Sequence, residues 1–143
     1  MNPLFIFLTI AGYIIGLGAV TVIDLHGLLG RTSTYWTEAT TRTHKVTKPL
    51  IWIGTMLALF GGLIFYYNAG YFDFAKLHAL IFTVLIMNGV FLSFSVSPFL
   101  LHREREGKQS ELLPKSWQRK ITASFIVSFV GWWGSLLLFV VTL

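Results

Sequence analysis

Apolar residues in this chain neither alternate nor recur with the period of a surface helix. They run on in four long stretches, Leu4–Leu25, Leu50–Tyr67, Leu77–Leu101 and Ile121–Leu143, separated by polar connections. Hydrocarbon roughly 30 Å thick is crossed by about 20 apolar residues rising ~1.5 Å each. A barrel strand would alternate, and in lipid the backbone must satisfy its own hydrogen bonds, so the pattern predicts helices. The expectation is an all-α integral membrane four-helix bundle, a single domain over residues 1–143. The first stretch, MNPLFIFLTIAGYIIGLGAV, lacks a basic leader and a small-residue cleavage pattern and is too long for a signal core, so it is expected to stay as a span.

Composition sharpens this reading. With 55% hydrophobic and only 12% charged residues, the chain has too little polar surface for a water-soluble domain. The net charge of +5 is unevenly distributed. Arg31, Arg42, Lys45 and Lys48 fall in the first connection and Arg103, Arg105, Lys108, Lys115, Arg119 and Lys120 in the third, leaving Lys76 alone at the other end. The positive-inside rule then puts two basic loops in the cytoplasm and both termini outside. Anionic headgroups account for such charge, and nucleic acid is not expected as a partner. The absence of cysteine excludes disulfides, thiolate metal sites and iron–sulfur clusters.

Small residues recur three and four apart in three stretches: Thr9, Gly12, Gly16 and Ala19; Gly54, Ala58, Gly61 and Gly62; Ser124, Ser128, Gly131 and Ser135. Such stripes admit a neighbouring backbone, within one bundle or between copies, and self-association or a larger membrane complex is expected. Tyr35, Trp36, Tyr66, Tyr67, Tyr71, Phe72 and Trp117 fall where interfaces should lie. In the first connection, Tyr35, Trp36, Ala39 and Val46 suit a short surface helix. Pro49 is expected to open the second span, Pro98 to kink or end the third, and the connection after it to be a solvated linker.

Polar groups inside a bilayer are costly and therefore candidates for function. Asp24 lies near the end of the first stretch, where it either pairs with Arg31 or a loop lysine or serves as a proton or cation site. His26 is two residues on, a turn of about 200°, so the two do not share a face. Asn88 is the strongly polar side chain nearest a span centre and suits an interhelical hydrogen bond. His78 and His102 mark opposite ends of the third stretch. His26 and His102 reach the same level, which makes a bis-histidine haem site conceivable. No HExxH, CxxCH, nucleotide fingerprint or nucleophile elbow occurs, and no other metal site is expected.

The glycine-rich first helix, the basic loop rejoining the membrane at HKVTKPLIWIG, and the third helix opening FAKLHALI and continuing into MNG resemble small four-helix membrane proteins of the J-type protoporphyrinogen oxidase and CopD-like set. The GLGxxTxxD segment, Gly16 to Asp24, is similar to one in small uncharacterised bacterial membrane proteins. The resemblance implies a four-helix fold in a bacterial inner membrane and, in the oxidase family, a tetrapyrrole site on one histidine of the first helix and one of the third. The best-fitting positions here hold Thr9 and Asn88, neither an axial haem ligand, with His78 as a substitute. The leading expectation is a non-enzymatic packing, partner-binding or small-ion module with Asp24 and Asn88 as its polar residues. The alternative is a haem-binding redox protein using His26, His78 or His102.

Overall fold

The computed structural model describes residues 3–30, 33, 35–108 and 110–143, with backbone alone for 27, 29–30, 35–37 and 39–41. It is all-helical, with no strand among the described residues. Four helices are long and apolar enough to cross a membrane, over Pro3–His26, Arg42–Asn68, Phe72–Arg105 and Lys115–Val140.

The first helix, residues 3–30, contains a π-turn at Tyr13–Leu17. Gly12, Gly16, Val20 and Asp24 are all buried, four apart. In an unbroken α-helix that spacing drifts by about 40° per step, and the wider i→i+5 turn takes up part of the drift. The expected stripe through Ala19 therefore shifts to Val20, and Asp24 faces inward.

The second helix, Tyr35–Asn68, begins well before Leu50 and carries Pro49 in its interior. Pro49 cannot donate to the Lys45 carbonyl, but both residues are exposed, so that carbonyl is left on the outer face of the helix. The Glu38–Arg42 ion pair at 2.6 Å, one turn apart, supports the extension. The expected surface helix is thus continuous with the span; the side chains of Tyr35, Trp36 and Ala39 lie outside the described residues.

Helices two and three are joined by a tight turn in which Gly70 adopts φ 77°. Tyr71 N–H bonds the Tyr66 carbonyl at 2.9 Å and Gly70 N–H bonds that of Tyr67 at 3.2 Å, the paired bonds of a Schellman cap. The third helix then runs through Pro98 to Arg105, with a π-turn at Leu92–Val96 in place of the expected kink or end. Ser97 N–H bonds Leu92 O. Proline has no N–H to offer the next carbonyl, that of Ser93, and Lys48 Nζ of helix two approaches it at 3.5 Å.

The connection between helices three and four is pinned rather than loosely solvated. Leu113 is buried against Val96, Leu100, Ile121 and Phe125, and Phe99 stacks on Trp117 at 4.1 Å. Arg103 donates to the carbonyls of Glu111 and Leu112 at 3.4 and 3.3 Å, and Gln118 to that of Leu113 at 2.7 Å. Lys45 pairs with Glu104 at 3.0 Å, so the ends of helices two and three meet on this side, the basic end.

Helices one and two cross closely. A Cβ built on Gly54 would meet the backbone of Gly16, and one on Gly12 would meet that of Ala58, while Gly61 lies against Thr9. The Trp132 ring of helix four sits over Gly16, and Tyr13 Oη donates to the Ser135 carbonyl at 2.9 Å. Phe82, Trp132, Tyr13, Phe139, Phe65 and Tyr66 complete an aromatic core by edge-to-face and tilted contacts.

Gly54→Ala forces backbone against backbone and should cost ~1–3 kcal/mol of stability in detergent unfolding. Gly134→Ala, whose Cβ meets nothing within 4 Å, should be neutral or stabilising in the same assay. Equal effects at the two sites would refute a glycine-dependent crossing.

Candidate functional site: a cavity lined by Asp24 and His44

Each of the four helices contributes a polar side chain to one cavity of about 40 Å³ between the aromatic core and the basic end. It is lined by Asp24 of helix one, His44, Trp52 and Thr55 of helix two, Asn88 of helix three and Ser128 of helix four, with Trp132 and Leu85 on the aromatic side. The volume exceeds the ~10–15 Å³ needed to seat a water.

The side chains divide by whether their hydrogen bonds are already made. Asn88 Nδ2 donates to the Ser124 carbonyl at 3.0 Å, and Ser124 Oγ donates to Asn88 Oδ1 at 2.6 Å, a reciprocal clasp between helices three and four. Trp52 Nε1 donates to Ser93 Oγ at 3.3 Å, and Thr55 returns its hydroxyl to Ile51 O at 2.7 Å. Asp24 is only 4% exposed, and its Oδ2 has no hydrogen-bond partner among the described residues. His44 Nε2 is likewise buried without a partner among them. An acid and an imidazole, each with hydrogen-bonding capacity unused, thus line one small cavity. Leaving such groups unsatisfied costs ~1–3 kcal/mol each.

His44 also lines a smaller cleft with Lys45, Ser97, Leu100 and Leu101, so it stands between the cavity and the basic end. Asp24 lines a third space, an apolar groove between helices one and four. Away from the basic end the aromatic core closes the bundle.

The other residues singled out from sequence are dispersed. His26 is exposed, whereas Asp24 beside it is buried, consistent with their opposite facing. His102 is exposed and pairs with Glu106 at 3.1 Å, a carboxyl held below its usual range by Lys108. His78 is fully buried toward the far end, with Nε2 on Ala58 O at 3.2 Å, its ring against Gly62, and Phe82 at 4.6 Å. Two of the rings lie on the surface, and the third fills the space over Gly62 from the opposite end. Among the described residues no three His, Asp or Glu side chains gather as a metal site requires.

Asp24 does not pair with the nearby lysines, since Lys45 goes to Glu104 and Lys48 to Ser93 O. Arg31, the other partner expected for it, lies outside the described residues. His44 escaped sequence reasoning because it was assigned to a loop. Its signal is periodic: His44, Thr47, Ile51, Thr55 and Ala58 recur at helical spacing, carrying the small-residue face of helix two back across Pro49.

No family model, curated protein or solved structure matches the chain.

The Asn88–Ser124 clasp yields a measurable coupling. In a double-mutant cycle of Asn88→Leu and Ser124→Ala, followed by unfolding in bicelles, a coupling energy of ~0.6–2 kcal/mol is expected. Strict additivity would show that the pair contributes nothing jointly.

Proposed function

We propose that this chain is a small multi-pass membrane module that binds a proton at Asp24, with His44 relaying it from the basic end. The carrying observation is that Asp24 and His44 line the same cavity, and that Asp24 Oδ2 and His44 Nε2 are both buried with no hydrogen-bond partner among the described residues. A proton bridging or a water linking two such groups satisfies what the protein leaves unsatisfied, and an intramembrane carboxyl of this kind is the usual residence of a transported or sensed proton. That His44 lines the outer cleft as well supports its relay role. Imidazole can accept on one nitrogen and donate from the other.

The proposal includes orientation. The excess of Lys and Arg at the basic end favours the cytoplasmic side for both long connections, with both termini outside. The site then takes protons from the cytoplasm. The aromatic core beyond it argues for occupancy coupled to a conformational or partner change rather than for a standing pore. The helix-one stripe is used inside the bundle, against Gly54, Ala58 and Trp132. Association with a second copy or another protein would therefore use outward-facing residues.

Infrared spectroscopy of the protein in lipid, titrated from alkaline to acid, tests the assignment. A protonated-carboxyl C=O band that exchanges slowly with deuterium is expected in the wild type. It should vanish in Asp24→Asn, and in His44→Ala its exchange should slow several-fold. Persistence of the slow band in Asp24→Asn would refute Asp24 as the site, and unaltered exchange in His44→Ala would refute the relay. Retained helicity and unfolding temperature in both variants keep the reading separate from misfolding.

A further inference from the structure

One face of helix four changes character along its length. Lys115, Arg119, Thr122, Ile126, Phe129 and Val130 follow one another at three-, four- and one-residue steps, so they share that face. Lys115, Gln118, Arg119 and Thr122 line an open shelf of about 630 Å³ that ends at Ile126. Ile126 is also the first wall of the apolar groove, about 120 Å³, which continues between helices one and four along Leu25, Leu28, Phe129 and Val130. The shelf and the groove therefore meet end to end.

The cations of the basic end divide into those with an ion pair and those with none among the described residues, the latter including Lys48, Arg105 and Lys120 besides the two on this face. Arg42, Lys45, Arg103 and Lys108 each have a carboxylate within salt-bridge distance. Lys115 and Arg119 are exposed and have none among the described residues. They also occupy the first turns of helix four, where unpaired backbone N–H groups add positive potential. From Arg119 to Val130 the helix rises about 16 Å, close to half the ~30 Å hydrocarbon thickness. Ile126 is 53% and Val130 63% exposed, so the groove opens sideways to the acyl region.

We infer that this face is a binding site for one anionic phospholipid, its phosphate held by Lys115 and Arg119 and one acyl chain lying in the groove between helices one and four. The unneutralised cations specify an anionic head, and the apolar channel leading from them at the right length specifies a lipid rather than a free anion. The inference stands apart from proton binding, although the bound chain would cover Asp24 from the lipid side, since that residue forms part of the groove wall.

Native mass spectrometry of the detergent-purified protein tests it, with phosphatidylglycerol and phosphatidylcholine of identical chains as probes and inorganic phosphate as competitor. One tightly retained phosphatidylglycerol and little phosphatidylcholine are expected. Removing both charges with Lys115→Ala and Arg119→Ala should weaken phosphatidylglycerol binding roughly 30-fold, and Arg119→Ala alone about fivefold. Arg105→Ala, an equal loss of charge on the end of helix three, should leave it within about twofold. Ile126→Trp, which fills the groove from an exposed position, should weaken retention with both charges intact. Equal binding of the two lipids, or an equal loss in Arg105→Ala and Arg119→Ala, overturns the site in favour of diffuse surface charge. Displacement by phosphate alone, or full retention in Ile126→Trp, overturns the acyl groove.

Discussion

The close crossing of helices one and two, glycine on glycine, is the contact on which the rest of the bundle depends. In lipid, apolar side chains gain little by leaving hydrocarbon for one another, so helices associate through dispersion and hydrogen bonding, both of which reward short separations. With Gly16 against Gly54 and Gly12 against Ala58, the two backbones come near enough that no Cβ fits between them. That approach also leaves a slot on helix one for the Trp132 ring, which brings in helix four. Trp132 in turn meets Phe82 of helix three at 5.6 Å. The Gly16–Gly54 and Gly12–Ala58 contacts thus propagate into an aromatic layer that closes one side of the cavity.

Much of this was legible in the sequence, because it rests on composition and period. Four uninterrupted apolar runs can be little else than four helices, and the positions of Gly12, Gly16, Gly54 and Ala58 at three- and four-residue steps marked the faces that meet. Asp24 stood out because a carboxyl is expensive where it lies, and Asn88 because no other strongly polar side chain approaches a span centre. Fine register was hidden. A π-turn has no residue signature, so nothing in Tyr13–Leu17 announces that the inward face moves from Ala19 to Val20. The threonines and Pro49 argued locally against a helix over residues 35–49, and tertiary packing overrode them. His44 was lost with that boundary, and half of the candidate site with it.

Pro98 shows how the same chemistry is resolved differently by context. Its missing N–H was expected to bend or stop helix three. The chain instead inserts a π-turn ahead of it, shifts the uncompensated carbonyl to Ser93, and turns that carbonyl toward Lys48 of the neighbouring helix. Ser93 Oγ meanwhile accepts from Trp52. A local defect has become a contact between helices two and three beside the cavity, in keeping with the frequency of π-turns near functional positions.

The case for function at Asp24 and His44 is strongest when set against the other buried polar groups of the same protein. Asn88 and Ser124 satisfy each other, Tyr13 reaches Ser135, and Thr9, Thr47 and Thr55 bond their own helices. Thr21 Oγ1, Tyr66 Oη, His78 Nδ1 and Arg103 Nε also lack partners among the described residues, so an unsatisfied atom alone does not mark a site; none of those four residues lines the cavity. Asp24 and His44 come from helices at opposite ends of the first connection, and both line one space. A residue retained only for packing would be served as well by leucine at either position, without the cost of desolvation. An acid and an imidazole there, with a small cleft toward the basic end and an aromatic seal on the far side, are the arrangement that the proposed one-sided proton site calls for.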